Sequence, residues 1–238
     1  MAGALGGLRG FWSWYQGSLA RQPVRTQVVT SGLLWAVGDV MAQTIEIKTQ
    51  RSRREKSPAV PHAAATPPPE GDLGTITTNQ TLNLRRVATT SLFGFGFVGP
   101  VGHFWYEALE HIVKSKMRLV PNSLAFVATK VVVDTLLFGP IHLVTFFTYA
   151  GLASGKPFEQ VKKDLKRDFV PTFMIEGSTW FFVQIANFRF VPVQHQLLFV
   201  NFFCILDSAF LSWVKHQEDA PWKRYLTALG SSKNVKEQ

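Results

Sequence analysis

Long stretches almost free of charge constrain this chain more than anything else in it. Residues 87–109 hold Glu107 as their only acid and no lysine or arginine; 123–152 hold only Lys130 and Asp134; 190–214 hold only Asp207. Spanning a hydrocarbon core takes about 20 mostly apolar residues of helix, because a helix satisfies its own backbone hydrogen bonds where no water can. A water-soluble fold has no use for three separate runs this long and this poor in charge. The chain as a whole is 17% charged, against about 25% for a typical soluble domain. Its mean hydropathy of +0.08 averages these runs with a quite different, polar segment.

The runs divide the 238 residues. Residues 1–46 form an N-terminal segment with a first membrane helix over the apolar stretch 28–43, a little short for a span unless Thr26 and Gln27 extend it. No secretory signal is read here, since Arg9 interrupts the first apolar stretch. The absence of any acid before Asp39, beside Arg9, Arg21 and Arg25, resembles a mitochondrial address and equally suits a basic flank before a membrane helix. Residues 47–86 are rich in proline, alanine, threonine and basic side chains without an apolar face, and are expected to be a disordered basic loop. Residues 87–214 carry the membrane helix bundle, and 215–238 form a tail.

Within the bundle, 87–109 predicts a helix bent near Pro100, and 123–152 a helix tilted or broken at Gly139-Pro140. Phe158, Val161, Leu165 and Phe169 fall at helical spacing opposite a charged face, fitting a helix on the interface or an ordinary surface helix. Residues 170–188 span fully or enter part-way. The expected fold is an all-α integral membrane protein, a compact bundle of about four transmembrane helices plus interfacial or partial helices.

The formal net charge of +9 raises nucleic acid as a partner. The basic residues, however, lie between the apolar runs, where they meet anionic headgroups, so no nucleic acid is expected to bind directly. With four spans, lysine and arginine number eleven on one side and twelve on the other, so the positive-inside rule assigns no orientation. The single cysteine, Cys204, rules out an internal disulfide and a thiolate metal site.

Gly94-Phe95-Gly96-Phe97-Val98-Gly99 spells GxGxxG. A dinucleotide turn needs a strand before it and an acid about 20 residues beyond; here Lys114 to Arg118 stand at that distance. The glycines read better as a packing seam, with Gly96, Gly99 and Gly102 three apart beside Pro100, Trp105 and Tyr106; small residues let helices approach closely in lipid. Trp180 and Pro192 join these as packing candidates. Ionisable side chains in apolar runs are costly and face a bundle interior or water. Asp39, Lys130, Asp134 and Asp207, with the amides Gln184 and Asn187, are therefore the candidate pore or interior polar residues. Lys130 and Asp134 are four apart and share a helix face; Glu176 suits an interface position. The sequence has no HExxH, GxSxG or Walker loop, so neither an enzyme nor a cofactor nor a metal site is expected.

Five ordered blocks carry a family resemblance. "WFFVQIANFRFVP" (180–192) resembles the W-P-x-x-Q-x-x-N-F-x-x-V-P signature of the Mpv-seventeen/peroxisomal membrane protein (Sym-one-like) family. The stretch from Trp14 to Gln43 is similar to its W-x-x-Y…P…T…G…GD…Q opening, and Phe95 to Leu109 to its G-x-x-x-GP-x-x-H-x-WY-x-x-L block. Lys130 to Pro140 and Ala209 to Trp213 resemble its K-x-x-x-DQ-x-x-x-x-P and Y-L-S-W blocks. The chain departs at Phe181 (family proline), Thr135 (glutamine), Gln196 (arginine) and Asp207-Ser208 (Trp-Asn). The resemblance implies a small multi-pass protein of the mitochondrial inner membrane, or alternatively the peroxisomal membrane. Some members are linked to pore-like permeability for small solutes and to mitochondrial DNA maintenance. Carried over residue by residue are Gly38, Asp39, Gln43, Gly99, Pro100, His103, Trp105, Tyr106, Lys130, Asp134, Trp180, Gln184, Asn187, Phe188 and Pro192. The function expected is a channel for small solutes, the alternative a non-conducting structural or adaptor protein. Its partners would be the lipid bilayer, further copies of itself, and small solutes if it is a pore.

Overall fold

A computed structural model describes residues 2–56 and 81–215. These are helical apart from short connections, with no strand among the described residues. The order is α1 (Ala2–Arg21), α2 (Pro23–Lys56), α3 (Leu84–Phe93), α4 (Gly99–His111), α5 (Leu124–Val133), α6 (Gly139–Ala153), α7 (Phe158–Phe190) and α8 (Val193–Lys215). Local chemistry sets the boundaries. The side chains of Asn83 and Ser123 accept the backbone N–H of Arg86 and Phe126, capping α3 and α5. Gly155, at φ +83°, closes α6. Pro192 denies α7 a continuation and holds Val191 extended at φ −104°, ψ 125°.

The two Gly-Pro pairs were expected to bend or break their helices. Instead, a π turn absorbs each proline. Gly94–Val98 joins α3 to α4, with the Gly99 N–H reaching the Gly94 carbonyl; Asp134–Phe138 joins α5 to α6, with the Gly139 N–H reaching the Asp134 carbonyl. Proline lacks an N–H and its ring crowds the carbonyl four residues back, and widening the preceding turn removes both conflicts without ending the helix. A third π turn, Ile112–Lys116, ends the α4 path.

Two helical stretches, Pro23–Ser52 and Leu124–Ala153, are long and apolar enough to cross a membrane by length and composition. The other expected spans, 87–109, 170–188 and 190–214, are helical but are not among these two. The segment 47–86, expected to be a loop, is helical at both its ends. The α2 helix runs on to Lys56 and α3 begins at Leu84, while 57–80 lie outside the described residues, as do 216–238 of the expected tail. Nor do 158–169 form a separate helix; they are the first third of α7, which passes through Pro171 without interruption.

Packing centres on α2, which lies along α8 and crosses α3 and α4, while α7 packs on α5 and α6. The crossings depend on glycine. A Cβ on Gly99 would lie 2.5 Å from the Val28 Cα, one on Gly94 2.8 Å from the Ser31 carbonyl, and one on Gly102 2.7 Å from Leu197 Cδ1. A Cβ on Gly96 would touch nothing within 4 Å, so Gly96 is not part of the seam. The expected three-residue spacing presumes a regular helix; the π turn shifts the register, and Gly94 takes the place assigned to Gly96. Phe93, Tyr106, Leu109, Val113, Phe126, Val131, Phe188 and Leu197 fill the core between these helices. In α1, Tyr15 and Leu19 are buried whereas Phe11, Trp12 and Trp14 are exposed.

Candidate functional site

Five of the polar residues singled out from the sequence fall into three hydrogen-bonded groups, and the sixth, Asp207, stands apart from them on the wall of a cavity. The first centres on Asp134, which opens the α5–α6 π turn and is buried. Its carboxylate accepts the Trp105 indole N–H (2.7 Å) and the Gln184 amide (2.7 Å). Gln184 also donates to the Tyr106 hydroxyl (3.1 Å) and accepts from Asn187 (2.8 Å). Three helix paths are thus tied by neutral donors around one carboxylate, an arrangement whose members depend on each other. The spacing of Trp180, Gln184, Asn187 and Phe188 puts all four on one side of α7, which explains that block of the sequence. The side-chain oxygen Oδ1 of Asn187 is buried without a hydrogen-bond partner.

The second group surrounds Lys130, which is fully buried. Its ammonium donates to Glu110 (2.8 Å) and Gln196 (3.2 Å) and sits 4.4 Å from the centre of the Phe188 ring. Although four residues apart on one helix, Lys130 and Asp134 take different partners. Gln196 donates in turn to the Val191 carbonyl (3.0 Å), tying the start of α8 to the α7–α8 break. With glutamine at 196, Lys130 gains an acceptor and avoids a second buried cation.

The third group lies at the opposite end of the bundle. Asp39 accepts from Gln43 (2.7 Å) and pairs with Arg86 (2.7 Å), which also pairs with Glu46 (3.0 Å). One guanidinium thus faces two carboxylates, Asp39 buried and Glu46 partly exposed. Gln43 also bonds the backbone of Asn83 in both directions, fixing the start of α3 against α2. Elsewhere His103 meets Gln27 (2.9 Å), and Asn201 links Ser31 to Trp35 (2.7 and 3.2 Å). These polar seams between α2, α4 and α8 were not legible as pairs, because their members stand 76 to 170 residues apart.

Two cavities give the arrangement a chemical sense. A central one of about 250 Å³ lies between α2, α4, α6, α7 and α8, with Asp134, Glu176, Asp207, His142, Cys204 and Trp180 on its wall. A vestibule of about 640 Å³ lies between α2, α3 and α6, lined by Asp39, Glu46, Arg85 and Arg86 among others. Trp35, Phe146 and Ser208 line both and form the septum between them. The Trp35 and Phe146 rings stand 5.9 Å apart, centre to centre. Glu176, expected near an interface, faces the central cavity. At the far end Lys130, Glu110, Gln196 and the Leu109–Val113–Phe126–Phe188 core close the bundle. No three histidine, cysteine, aspartate or glutamate side chains converge to hold a metal ion among the described residues.

The Mpv17 / PMP22 family profile matches residues 151–212, from the end of α6 through most of α8. The chain is similar to the mitochondrial inner membrane protein Mpv17 of Xenopus laevis, 31% identical over 87% of this chain and 97% of that one. It is also similar to PXMP2/4 family protein 4 of Dictyostelium discoideum, 26% identical over 89% and 97%. Peroxisomal membrane protein 2 of Bos taurus is 28% identical over 84% and 87%. No solved structure matches.

Proposed function

This chain belongs to the Mpv17 / PMP22 family, and from that premise we propose that it is a multi-pass organellar membrane protein providing a pathway for small solutes. Relatives are named for the mitochondrial inner membrane and for the peroxisome; the basic, acid-free N-terminal segment favours the mitochondrial inner membrane. Four helical paths cross in this reading: α2, α3–α4, α5–α6 and α8. The expected charge-poor runs fall in these four, and α7 packs beside α5 and α6.

The observation that carries the proposal is the pair of cavities separated by a thin wall of Trp35, Phe146 and Ser208. Buried ionisable groups are expensive in a bilayer unless they face a wet or polar interior. Asp134, Glu176 and Asp207 face one. A solute enters by the vestibule, passes the aromatic septum and reaches the central cavity. Leaving at the other side requires the Lys130–Glu110–Gln196 cluster to part, so that cluster is the gate of the pathway. The mouth carries Asp39 and Glu46 against Arg85 and Arg86 and is balanced in charge, whereas the central cavity is acidic.

A non-conducting structural role is the second reading, favoured by the complete satisfaction of the Asp134 carboxylate within the bundle. Release of small solutes from proteoliposomes separates the two. Purified protein should release solutes small enough for the septum and retain large ones, and Asp207→Asn should change the ratio of cation to anion leak. Liposomes as tight as protein-free controls, with the protein folded and inserted, would leave only the structural role.

A further inference from the structure

We infer that the central cavity is a binding site for a small organic cation carrying an ammonium group. This names the solute class of the pathway proposed above and rests on that reading.

Two of its carboxylates have no counter-charge. Asp134 is satisfied by neutral donors, but Glu176 on α7 and Asp207 on α8 form no hydrogen bond or ion pair with any described residue, and both line the cavity. Two bare carboxylates in an apolar bundle repel each other and lack solvation; a cation between them removes both costs. His142 supplies a second, separate observation. Its ring is half-buried, opens onto the cavity and packs among Trp35, Phe93, Phe97 and Phe138. Neither ring nitrogen has a hydrogen-bond partner among the described residues, and the side chain lines the same cavity. An imidazole nitrogen there can accept an ammonium N–H.

The rest of the wall selects the kind of cation. Phe138, Phe147, Phe173 and Trp180 present aromatic surface, which attracts ammonium groups through the ring quadrupole and accommodates a carbon chain. A bare metal ion needs several oxygens held at about 2.0–2.6 Å, and no such convergence of acidic side chains or histidines exists among the described residues. The volume, about 250 Å³, falls just under the range of about 300–1,000 Å³ usual for small-molecule pockets, so the ligand is small. Asp207 stands where the resembling family pattern has tryptophan, so the site belongs to this chain rather than to the pattern.

Calorimetric titration of the full chain in nanodiscs tests this with three probes: n-butylammonium, 1-pentanol as a neutral match in size, and potassium. Butylammonium should bind saturably, about tenfold or more tighter than either of the others. Glu176→Gln and Asp207→Asn should each weaken it by about tenfold or more, while Asp164→Asn on the surface leaves it unchanged. If a cavity variant fails to fold, the three probes on the unaltered chain still decide. Equal binding of pentanol would show an apolar pocket with protonated carboxyls; displacement by potassium would show an inorganic cation site; absence of saturable binding would show no site. Each overturns the inference. Solute release without butylammonium binding would sink the ammonium site and leave the pathway standing, and butylammonium binding by a chain that passes no solute would do the reverse.

Discussion

Alanine at Gly99 and alanine at Gly96 should have opposite effects, though the two glycines stand three residues apart in one helical path. At Gly99 the new methyl would lie 2.5 Å from the Val28 Cα, which is backbone and cannot rotate away. Ordinary carbon contact is near 3.5–4.0 Å, so α2 and α4 must part by about 1 Å. Loss of close packing along that crossing costs about 1–3 kcal/mol, and in lipid no hydrophobic effect between helices compensates. At Gly96 the methyl meets nothing within 4 Å, so only backbone entropy changes, in alanine's favour by about 0.5–1 kcal/mol. Reversible unfolding in mixed micelles, followed by circular dichroism, reads the difference: Gly99→Ala unfolds earlier and Gly96→Ala at the same point or later. If Gly96→Ala is as damaging as Gly99→Ala, the π turn at Gly94–Val98 is wrong and the glycine seam follows the regular three-residue spacing after all.

Further perturbations separate the polar groups. Lys130→Met strands Glu110, which is 27% exposed and partly reaches water; the cost should be about 2 kcal/mol, below the roughly 3–5 of a fully buried pair, and adding Glu110→Gln should recover part of it in the same assay. Asp134→Asn keeps the shape but has one acceptor oxygen for two donors, so it should lower stability by about 1–3 kcal/mol and increase the quenching of Trp105 fluorescence by water-soluble quenchers. Tyr106→Phe removes only the hydroxyl that accepts from Gln184 and should cost about 1 kcal/mol in the unfolding assay, well below Asp134→Asn.

The all-helical build and two helices long enough to cross a membrane were legible, because charge-poor length is a direct consequence of bilayer thickness and survives any error about helix ends. Register was harder to read. Both Gly-Pro pairs announced a disturbance, but whether a proline ends, bends or merely widens a helix depends on whether the carbonyl before it can be moved aside, and that is decided by the neighbours. The same local shift moved the seam from Gly96 to Gly94. The ionisable residues could be recognised singly, since each is expensive in an apolar run. Their partners could not be recognised. Lys130 had a near acid at Asp134 and took Glu110 on another helix instead. Glu176 looked peripheral because its distance from the bundle axis depends on how α7 lies against α8. The helical extension of α2 to Lys56 was hidden by a composition that, taken alone, suits a solvated loop.

The most direct test of the solute pathway is the conductance of the purified full chain in planar bilayers, compared with that of Phe146→Ala. The mutation removes one ring of the septum between vestibule and central cavity while leaving Trp35 bonded to Asn201. The account predicts discrete conductance steps for the unaltered chain and larger steps for Phe146→Ala. Silent bilayers containing folded, inserted protein, or steps of unchanged size in the variant, would contradict it.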